Sequence, residues 1–345
     1  MTSILGQARL PALARGFSLL GSGGGGKTTL QELILGASGV WPLSVHQVRD
    51  VDPELPCVAI AYVGSTHFLH ERLPSEEPFS PLLAAAARWS GSWPQAVCAL
   101  EGGGLNGLTA LSLAPEMIFV DADFTGRAYP RLDQMSLYVD KVPGLFAVCG
   151  TGAGGVAIVN TDRAEDMEKV IRAAVIQAGG VAPFLLGGFR VGDLAEHAIT
   201  GIYLRALELG DAFIAAEQAS TADLAEGIGA RLLGQGRVTA IEISARTMHN
   251  STIEVTCNDG EISRVIARSE FLAYMSEGEV LAATPEIIVV LDSISRAILQ
   301  VDEVTQGRHV AVLSLPAPAW WLEREDRLAH VLPAVFGLDT LERSI

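Results

Sequence analysis

Short apolar runs alternate with helical patterns over the first two thirds of the chain. The apolar runs do not alternate with polar residues as a half-exposed strand does. Such unbroken apolar runs are typical of strands buried on both faces of a parallel sheet. The helical segments repeat apolar residues every three or four positions, and Gly179 and Gly210 follow two of them as stop signals. The predicted strands are 57–63, 97–100 and 117–121, and the predicted helices are 81–89, 164–178 and 193–209.

The pattern changes after about residue 230, where short β-rich runs follow one another. Asn258-Asp259-Gly260 joins two of these runs, and Asp followed by Gly is a strong signal for a β-hairpin turn. The β-rich runs are 237–243, 252–257, 262–267, 286–292 and 309–315. The sequence therefore predicts a multi-domain α/β protein. An α/β domain over 1–230 packs against a smaller β-rich domain over 231–345, and the chain end returns to the first domain.

The composition restricts the classes of protein that fit this pattern. The 345 residues are 49% hydrophobic and 19% charged, which excludes a disordered chain. With 24 Lys and Arg against 40 Asp and Glu, the net charge of −16 argues against nucleic acid or an anionic membrane as partner. The longest uncharged stretch, between Arg172 and Arg190, is interrupted by Gly and Pro and does not predict a membrane helix. We therefore expect a small-molecule partner.

The cysteines and the N-terminus bear on the compartment. Cys57, Cys98, Cys149 and Cys257 are far apart and form no C-x-x-C pair. This spacing favours a reduced compartment over a disulfide framework or a structural zinc site. The first residues also lack the basic segment, apolar core and small-residue cleavage site of a secretory signal. We therefore expect a cytoplasmic protein.

Glycine makes up 36 of the residues, and the first glycine cluster, residues 21–29, matches the phosphate-binding pattern G-x-x-x-x-G-K-[ST]. In such a loop, backbone N–H groups surround phosphates, the Lys neutralises their charge and the hydroxyl holds magnesium. The candidate ligand-binding residues are Gly23, Gly24, Gly25 and Gly26, and the candidate phosphate-binding residues are Lys27 and Thr28.

A nucleotide-binding loop also needs particular elements around it. Residues 17–20 would form the strand before the loop, and 28–35 would form the helix after it. Residues 118–121 resemble the apolar strand whose terminal Asp binds the metal in such enzymes. The alternative is a tight turn whose amides bind some other anion or a polar ring.

The second cluster directly follows the strand predicted at 97–100. Glu101 and Asn106 enclose three consecutive glycines, Gly103 among them. A carboxylate and an amide at a strand's carboxyl end, with glycines between them, allow a ligand to approach the backbone closely. The alternative is a solvent-exposed turn.

The third cluster contains Asp121, Asp123 and Arg127. In an extended segment the two Asp side chains share one face, because side chains alternate with a period of two. Two carboxylates beside a permanent cation can bind a metal, raise the pKa of one carboxyl for acid–base chemistry, or hold a planar polar ligand. The alternative is a loop closed by a salt bridge.

The sequence does not identify a cofactor. A divalent metal held by Asp121 and Asp123 is one alternative. His67 and His70, beside Glu71, have a workable metal spacing on a helical turn but no identified third ligand.

The three clusters together resemble the S-methyl-thiohydantoin desulfurase-like family, whose members often occur beside hydantoinase and oxoprolinase subunits. The Asp-x-Asp stretch that continues to Gly-Arg-Ala-Tyr-Pro is the most specific part, and the resemblance extends over nearly the whole chain. The similar segments are 20–26, 101–106, 120–130, 284–292, 307–312 and 316–321.

The resemblance implies a hydrolase of C–S or C–N bonds in a hydantoin- or thiohydantoin-type ring. Carboxylates would accept the ring N–H groups, while a guanidinium and the glycine amides would donate to the ring oxygens. One of the two Asp carboxylates would then act as the base that activates water. The candidate catalytic residues are Asp121, Asp123, Arg127 and Glu101.

The chain departs from the family pattern at one place. The family's glycine run is normally followed by an Asp-Pro-like pair, whereas this chain has Lys27-Thr28. Two other classes therefore stay open: an ATP-binding protein or hydrolase that uses residues 21–28, and a non-catalytic metabolite-binding or partner subunit of a hydantoinase-type system. The expected assemblies are a homo-oligomer or a complex with hydantoinase-type subunits.

Overall fold

The computed structural model describes residues 2–69, 75, 77–243 and 250–338, and the protein combines helices with one large mixed sheet and one large antiparallel sheet. This confirms the predicted multi-domain α/β class. The helices are α1 (Leu10–Leu20), α2 (Thr29–Ala37), α3 (Thr66–Leu69), α4 (Ser80–Ser90), α5 (Gly104–Thr109), α6 (Ser136–Val139), α7 (Ala164–Gln177), α8 (Val191–His197), α9 (Ile202–Ala215), α10 (Thr221–Gly227), α11 (Ala319–Leu322) and α12 (Glu325–Leu328).

The strands fall into the two large sheets and two small antiparallel pairs, β1–β2 and β6–β10. They are β1 (Ser3–Leu5), β2 (Leu43–Val45), β3 (Pro56–Gly64), β4 (Ala96–Ala99), β5 (Ile118–Phe119), β6 (Ala122–Asp123), β7 (Phe146–Gly150), β8 (Val156–Val159), β9 (Val181–Arg190), β10 (Ile199–Thr200), β11 (Arg231–Ile243), β12 (Ser251–Cys257), β13 (Ile262–Ala267), β14 (Phe271–Ser276), β15 (Glu279–Ala283), β16 (Ile287–Asp292) and β17 (His309–Leu315).

The mixed sheet has six strands in the order β5-β4-β3-β9-β7-β8. Strands β3, β4 and β5 run parallel, while β9 pairs antiparallel with both β3 and β7. The strands predicted at 57–63 and 97–100 are confirmed as β3 and β4, and every residue of β4 is buried, as its unbroken apolar sequence predicts. Helices α4 and α7 confirm the predictions at 81–89 and 164–178.

The single helix predicted over 193–209 is wrong. Helix α8 ends at His197, and Ile199–Thr200 pair with β6 before α9 begins. Gly201, at the start of α9, has a φ of 79°, which favours glycine and reverses the chain direction. The apolar stripe continues through both helices, so periodicity alone does not reveal the break.

The antiparallel sheet has seven strands in the order β15-β14-β13-β12-β11-β17-β16. The predicted hairpin turn at 258–260 joins β12 to β13, which pair in register from Ser251↔Ala267 to Thr256↔Ile262. Strands β16 and β17 confirm the predictions at 286–292 and 309–315. The antiparallel sheet begins at β11, and the domain boundary at 230/231 stays a prediction.

Helices α1 and α9 pack closely beside the mixed sheet. A Cβ at Gly16 would lie 1.8 Å from the carbonyl oxygen of Ala206, and one at Gly210 would lie 1.7 Å from that of Ala12. Only glycine allows the two backbones to approach this far, so these positions fix α1, and hence the glycine loop that follows it.

Two further observations bear on the expectations from composition. Cys57, Cys98, Cys149 and Cys257 are buried free thiols. Within the described ranges, no helix is both long and apolar enough to cross a membrane.

Candidate functional site

A cavity of about 520 Å³ lies where the glycine loop meets the ends of strands from both large sheets. Gly23–Lys27, Glu101 and Asn106 line this cavity. Arg268–Glu270 and Gln300–Asp302, both from the antiparallel part of the chain, line it as well. The cavity thus joins the first two glycine clusters to segments that carried no recognisable motif.

The glycine loop is held by hydrogen bonds to its neighbours. Ser22 is fully buried and donates from Oγ to the carbonyl oxygens of Phe271 and Ile288, at 3.1 and 2.9 Å. The N–H of Phe271 donates in turn to the carbonyl of Ser22 at 2.7 Å. At the other end, the N–H of Leu105 donates to the carbonyl of Gly25 at 3.0 Å. These bonds order a stretch that four consecutive glycines would otherwise leave flexible.

The N–H groups of Gly25 and Gly26 are free for a ligand. Within the described part of the chain they donate to no protein acceptor, and both residues line the cavity. Their φ values of 71° and 77° lie in the left-handed region that favours glycine. Successive amides in such a turn form a small concavity for an anion or a carbonyl oxygen.

The structure reproduces only part of the surroundings predicted for a nucleotide-binding loop. The strand predicted at 17–20 is wrong, because α1 continues helical to Leu20, whereas the helix after the loop is confirmed as α2. Lys27 pairs with Glu303 at 2.7 Å, and the hydroxyl of Thr28 donates to Glu32 at 2.8 Å. A short apolar run does not distinguish a buried strand from a buried helix, and Pro11 in the first turn of α1 is the signal for the helix.

Glu101 follows β4 and is confined by two hydrogen bonds. Its carboxylate accepts from the N–H of Tyr129 at 2.9 Å and from Nδ2 of Asn106 at 3.0 Å. Asn106 is fixed by Tyr62, whose N–H and carbonyl it bonds at 2.8 and 3.0 Å. Burial raises the pKa of Glu101 to about 7, and the two hydrogen bonds partly oppose that shift.

Glu270 faces the same cavity from the connection between β13 and β14. Burial, followed by the negative charge of Glu101, raises the pKa of Glu270 to about 8. Oε2 of Glu270 is buried without a hydrogen-bond partner among the described residues. The rest of the side chain packs against Gly24, where a Cβ would lie 2.5 Å from Cγ of Glu270. Glu101 and Glu270 are therefore two electrostatically coupled carboxyl groups on one cavity.

Sequence reasoning missed Glu270. The Arg268-Ser269-Glu270 segment follows a predicted strand and carries no motif, so it is typical of an exposed charged turn. The only local signal is Phe271 directly after it, which begins an apolar run. The contact that defines Glu270 joins it to Gly24, almost 250 positions away along the chain.

Asp121 and Asp123 lie behind the cavity wall rather than on it. Asp121 accepts from the N–H of Tyr203 at 2.8 Å and from Gln47 at 3.1 Å, and burial raises its pKa. Oδ2 of Asp123 accepts four hydrogen bonds, which hold the turn that follows it. Burial raises the pKa of Asp123 to about 6 against these bonds. The two carboxylates thus accept hydrogen bonds from different parts of the chain. Their catalytic role stays a prediction.

Arg127 is fully buried and also lies outside the cavity wall. Its guanidinium donates to the carbonyl oxygens of Glu286 at 2.6 Å, Phe271 at 3.3 Å and Ala128 at 3.0 Å. It also lies over the ring of Tyr129, 4.9 Å from the centroid. Burial lowers the pKa of Arg127. Arg127 thus connects the third cluster to strand β14 and to the start of β16, and its catalytic role stays a prediction.

Two candidate metal sites follow from the sequence, one at Asp121 and Asp123 and one at His67 and His70. Across the described ranges, no group of three or more His, Cys, Asp or Glu side chains is arranged to hold a metal ion. The pair His67 and His70, with Glu71, lies outside the described residues and side chains.

Comparison with known proteins decides the family. One family model, described as the S-Me-THD-like N-terminal domain, matches residues 8–161, and its C-terminal counterpart matches residues 161–345. The chain belongs to the S-Me-THD-like family. This confirms the resemblance carried by the glycine clusters, and the cavity of this S-Me-THD-like protein draws its walls from both matched regions.

A crystal structure of a protein from Chromobacterium violaceum has the same fold as this S-Me-THD-like chain. The TM-score is 0.79 at 20% sequence identity, and the likeness covers 97% of this chain and 96% of that one. No curated protein matches the sequence.

Proposed function

We propose that this protein hydrolyses a hydantoin- or S-methyl-thiohydantoin-type ring in the cavity, with Glu101 and Glu270 as its acid–base pair. The observation that carries the proposal is that two buried carboxyl groups, each with a raised pKa, line the same cavity. A general acid or base works best with a pKa near the operating pH. Membership of the S-Me-THD-like family supports the choice of ring.

The hydrogen bonds support a different role for each carboxyl. Glu101 accepts two hydrogen bonds, which favour its ionised form, and it is the base. Glu270 has an oxygen without a hydrogen-bond partner among the described residues and has the higher pKa, and it holds the proton at neutral pH. The negative charge of Glu101 adds to burial in favouring the protonated form of Glu270.

The reaction of an S-methyl-thiohydantoin can be written through this pair. Glu101 removes a proton from water as the water oxygen bonds to the ring carbon that carries the methylthio group, and Glu270 protonates the adjacent ring nitrogen. The C–S bond then breaks: the sulfur takes the proton from Glu101 and leaves as methanethiol, while the new hydroxyl returns its proton to Glu270. The product is the hydantoin, and both carboxyls regain their starting states.

The glycine loop supplies the third component. Gly25 and Gly26 line the cavity, and within the described residues their N–H groups donate to no acceptor, so they are available to a ring oxygen on which negative charge develops. Donors fixed in advance around such an oxygen stabilise the transition state, because no reorganisation is needed during the reaction.

The test is turnover of S-methyl-thiohydantoin and hydantoin by Glu101→Gln and Glu270→Gln. We expect kcat to fall by about 10²- to 10⁴-fold in each variant, since each removes one proton-transfer group. Glu303→Gln is the matched control, because Glu303 pairs with Lys27 at the loop but does not line the cavity. Undiminished turnover in Glu270→Gln, or no turnover of either compound by the wild-type protein, would contradict the proposal.

A further inference from the structure

Four cationic side chains line the cavity, and three of them are paired within the chain. Lys27 pairs with Glu303 at 2.7 Å, Arg131 donates to Asp133 at 2.8 Å, and Arg172 donates to Glu168 at 2.7 Å. The fourth cation, Arg268, forms no ion pair and donates no side-chain hydrogen bond within the part of the chain that the structure describes.

The backbone holds Arg268 beside the acid–base pair. The N–H of Arg268 donates to the carbonyl of Glu270 at 2.9 Å, which closes a tight turn between β13 and β14. Both side chains line the cavity, and the positive charge of Arg268 acts on the carboxyl of Glu270. The positive charge of Arg268 is therefore available to a substituent on a ring bound at Glu270.

The cavity volume leaves room for such a substituent. At about 520 Å³ it holds on the order of ten to twenty waters at their liquid volume, far more than a bare five-membered ring displaces. A planar guanidinium matches the two oxygens of a carboxylate better than any neutral group. We propose that the substrate ring carries a side chain ending in a carboxylate, and that Arg268 binds it. This rests on the proposed ring hydrolase.

The experiment measures binding rather than turnover. Isothermal titration calorimetry on the full chain compares hydantoin acetic acid with its neutral acetamide, which differ in charge at one group. We expect the acid to bind the wild-type protein about 10- to 100-fold more tightly, as a hydrogen bond to a charged group allows. Arg268→Gln should lose that preference, and Arg268→Lys should keep only part of it. Arg172→Gln, which changes a paired arginine on the same cavity, should keep it.

The outcomes separate this inference from the proposed function. Equal affinity of the wild-type protein for acid and amide, or a preference that survives in Arg268→Gln, overturns the role of Arg268 while leaving the ring site intact. If neither ring compound binds but succinate does, and Arg268→Gln abolishes succinate binding, the anion site stands and the ring hydrolase is contradicted.

Discussion

Two sets of buried carboxylates lie close together in this protein, and they differ in whether they line the cavity. Asp121 and Asp123 accept their hydrogen bonds from neighbouring backbone and side chains and do not line the cavity. Glu101 and Glu270 line it, and Glu270 keeps one oxygen without a partner within the described residues. Burial raises the pKa in all four.

The difference shows that a raised pKa does not by itself identify a reacting group. Asp123 also has one buried oxygen, Oδ1, without a partner in the described residues, but its other oxygen anchors a turn. A carboxylate that is bound by several donors stabilises local structure, whereas one that faces a cavity can exchange protons with a ligand. This contrast leads to four predictions, in order of expected effect.

Asp123→Ala should cause the largest loss of stability. The N–H groups of Gly102 and Gly126 would lose their buried acceptor, and we expect the free energy of unfolding to fall by about 3 kcal/mol. Urea denaturation measures it, with the exposed Asp162→Ala as a control within about 0.5 kcal/mol of wild type. An unchanged free energy of unfolding combined with lost turnover would instead make Asp123 a catalytic residue.

Arg127→Met should destabilise the protein by about 2 kcal/mol, because the carbonyls of Phe271 and Glu286 lose a buried donor. Arg127→Lys should not restore stability, since an ammonium does not reproduce the forked geometry. Differential scanning calorimetry of both variants checks this, with the exposed Arg264→Met as control. A fully stable Arg127→Met protein would contradict this structural role of Arg127 and favour its predicted catalytic role.

The pH dependence of stability tests the cavity-facing pair. Because the pKa of Glu270 rises from 4.5 to about 8 on folding, the folded state binds more protons, so the free energy of unfolding falls as pH rises between these values. The slope reaches at most about 1.4 kcal/mol per pH unit for this group. Glu101 contributes in the same direction up to about pH 7. Urea unfolding of Glu270→Gln across this range should show a shallower decline, and parallel wild-type and variant curves would refute the buried acid.

Lys27→Ala should have the smallest effect. Its ion pair with Glu303 is half-exposed, and such pairs contribute under about 1 kcal/mol. Calorimetric titration with magnesium and ATP should give no binding in either the wild-type protein or the variant, and the exposed Lys169→Ala serves as the stability control. ATP binding that is lost in Lys27→Ala would restore the phosphate-loop interpretation.

Much of the fold follows from local pattern. The runs that became β3, β4, β16 and β17, together with the hairpin turn at 258–260, carry strong signals that depend on a few neighbouring residues. The two errors, a strand at 17–20 and one helix over 193–209, arise where apolar periodicity alone does not distinguish the observed element from the predicted one.

Only part of the site was predictable from local sequence. Glu101, Asn106 and the glycine loop lie in clusters that stand out in the sequence, and the structure brings them to one cavity. Glu270 and Arg268 reach that cavity because the antiparallel sheet packs beside the loop, and their immediate sequence contains no motif that predicts this position.

Because Gly24 and Glu270 are in contact, replacing Gly24 by alanine would place a methyl group against the side chain of Glu270. The backbone of Gly24 does not adopt a left-handed φ, so alanine is conformationally acceptable there. Its Cβ would nevertheless lie 2.5 Å from Cγ and 2.7 Å from Oε1 of Glu270, too close for either atom to stay in place. Gly24→Ala would therefore displace one carboxyl while leaving every ionisable residue of the cavity in the sequence.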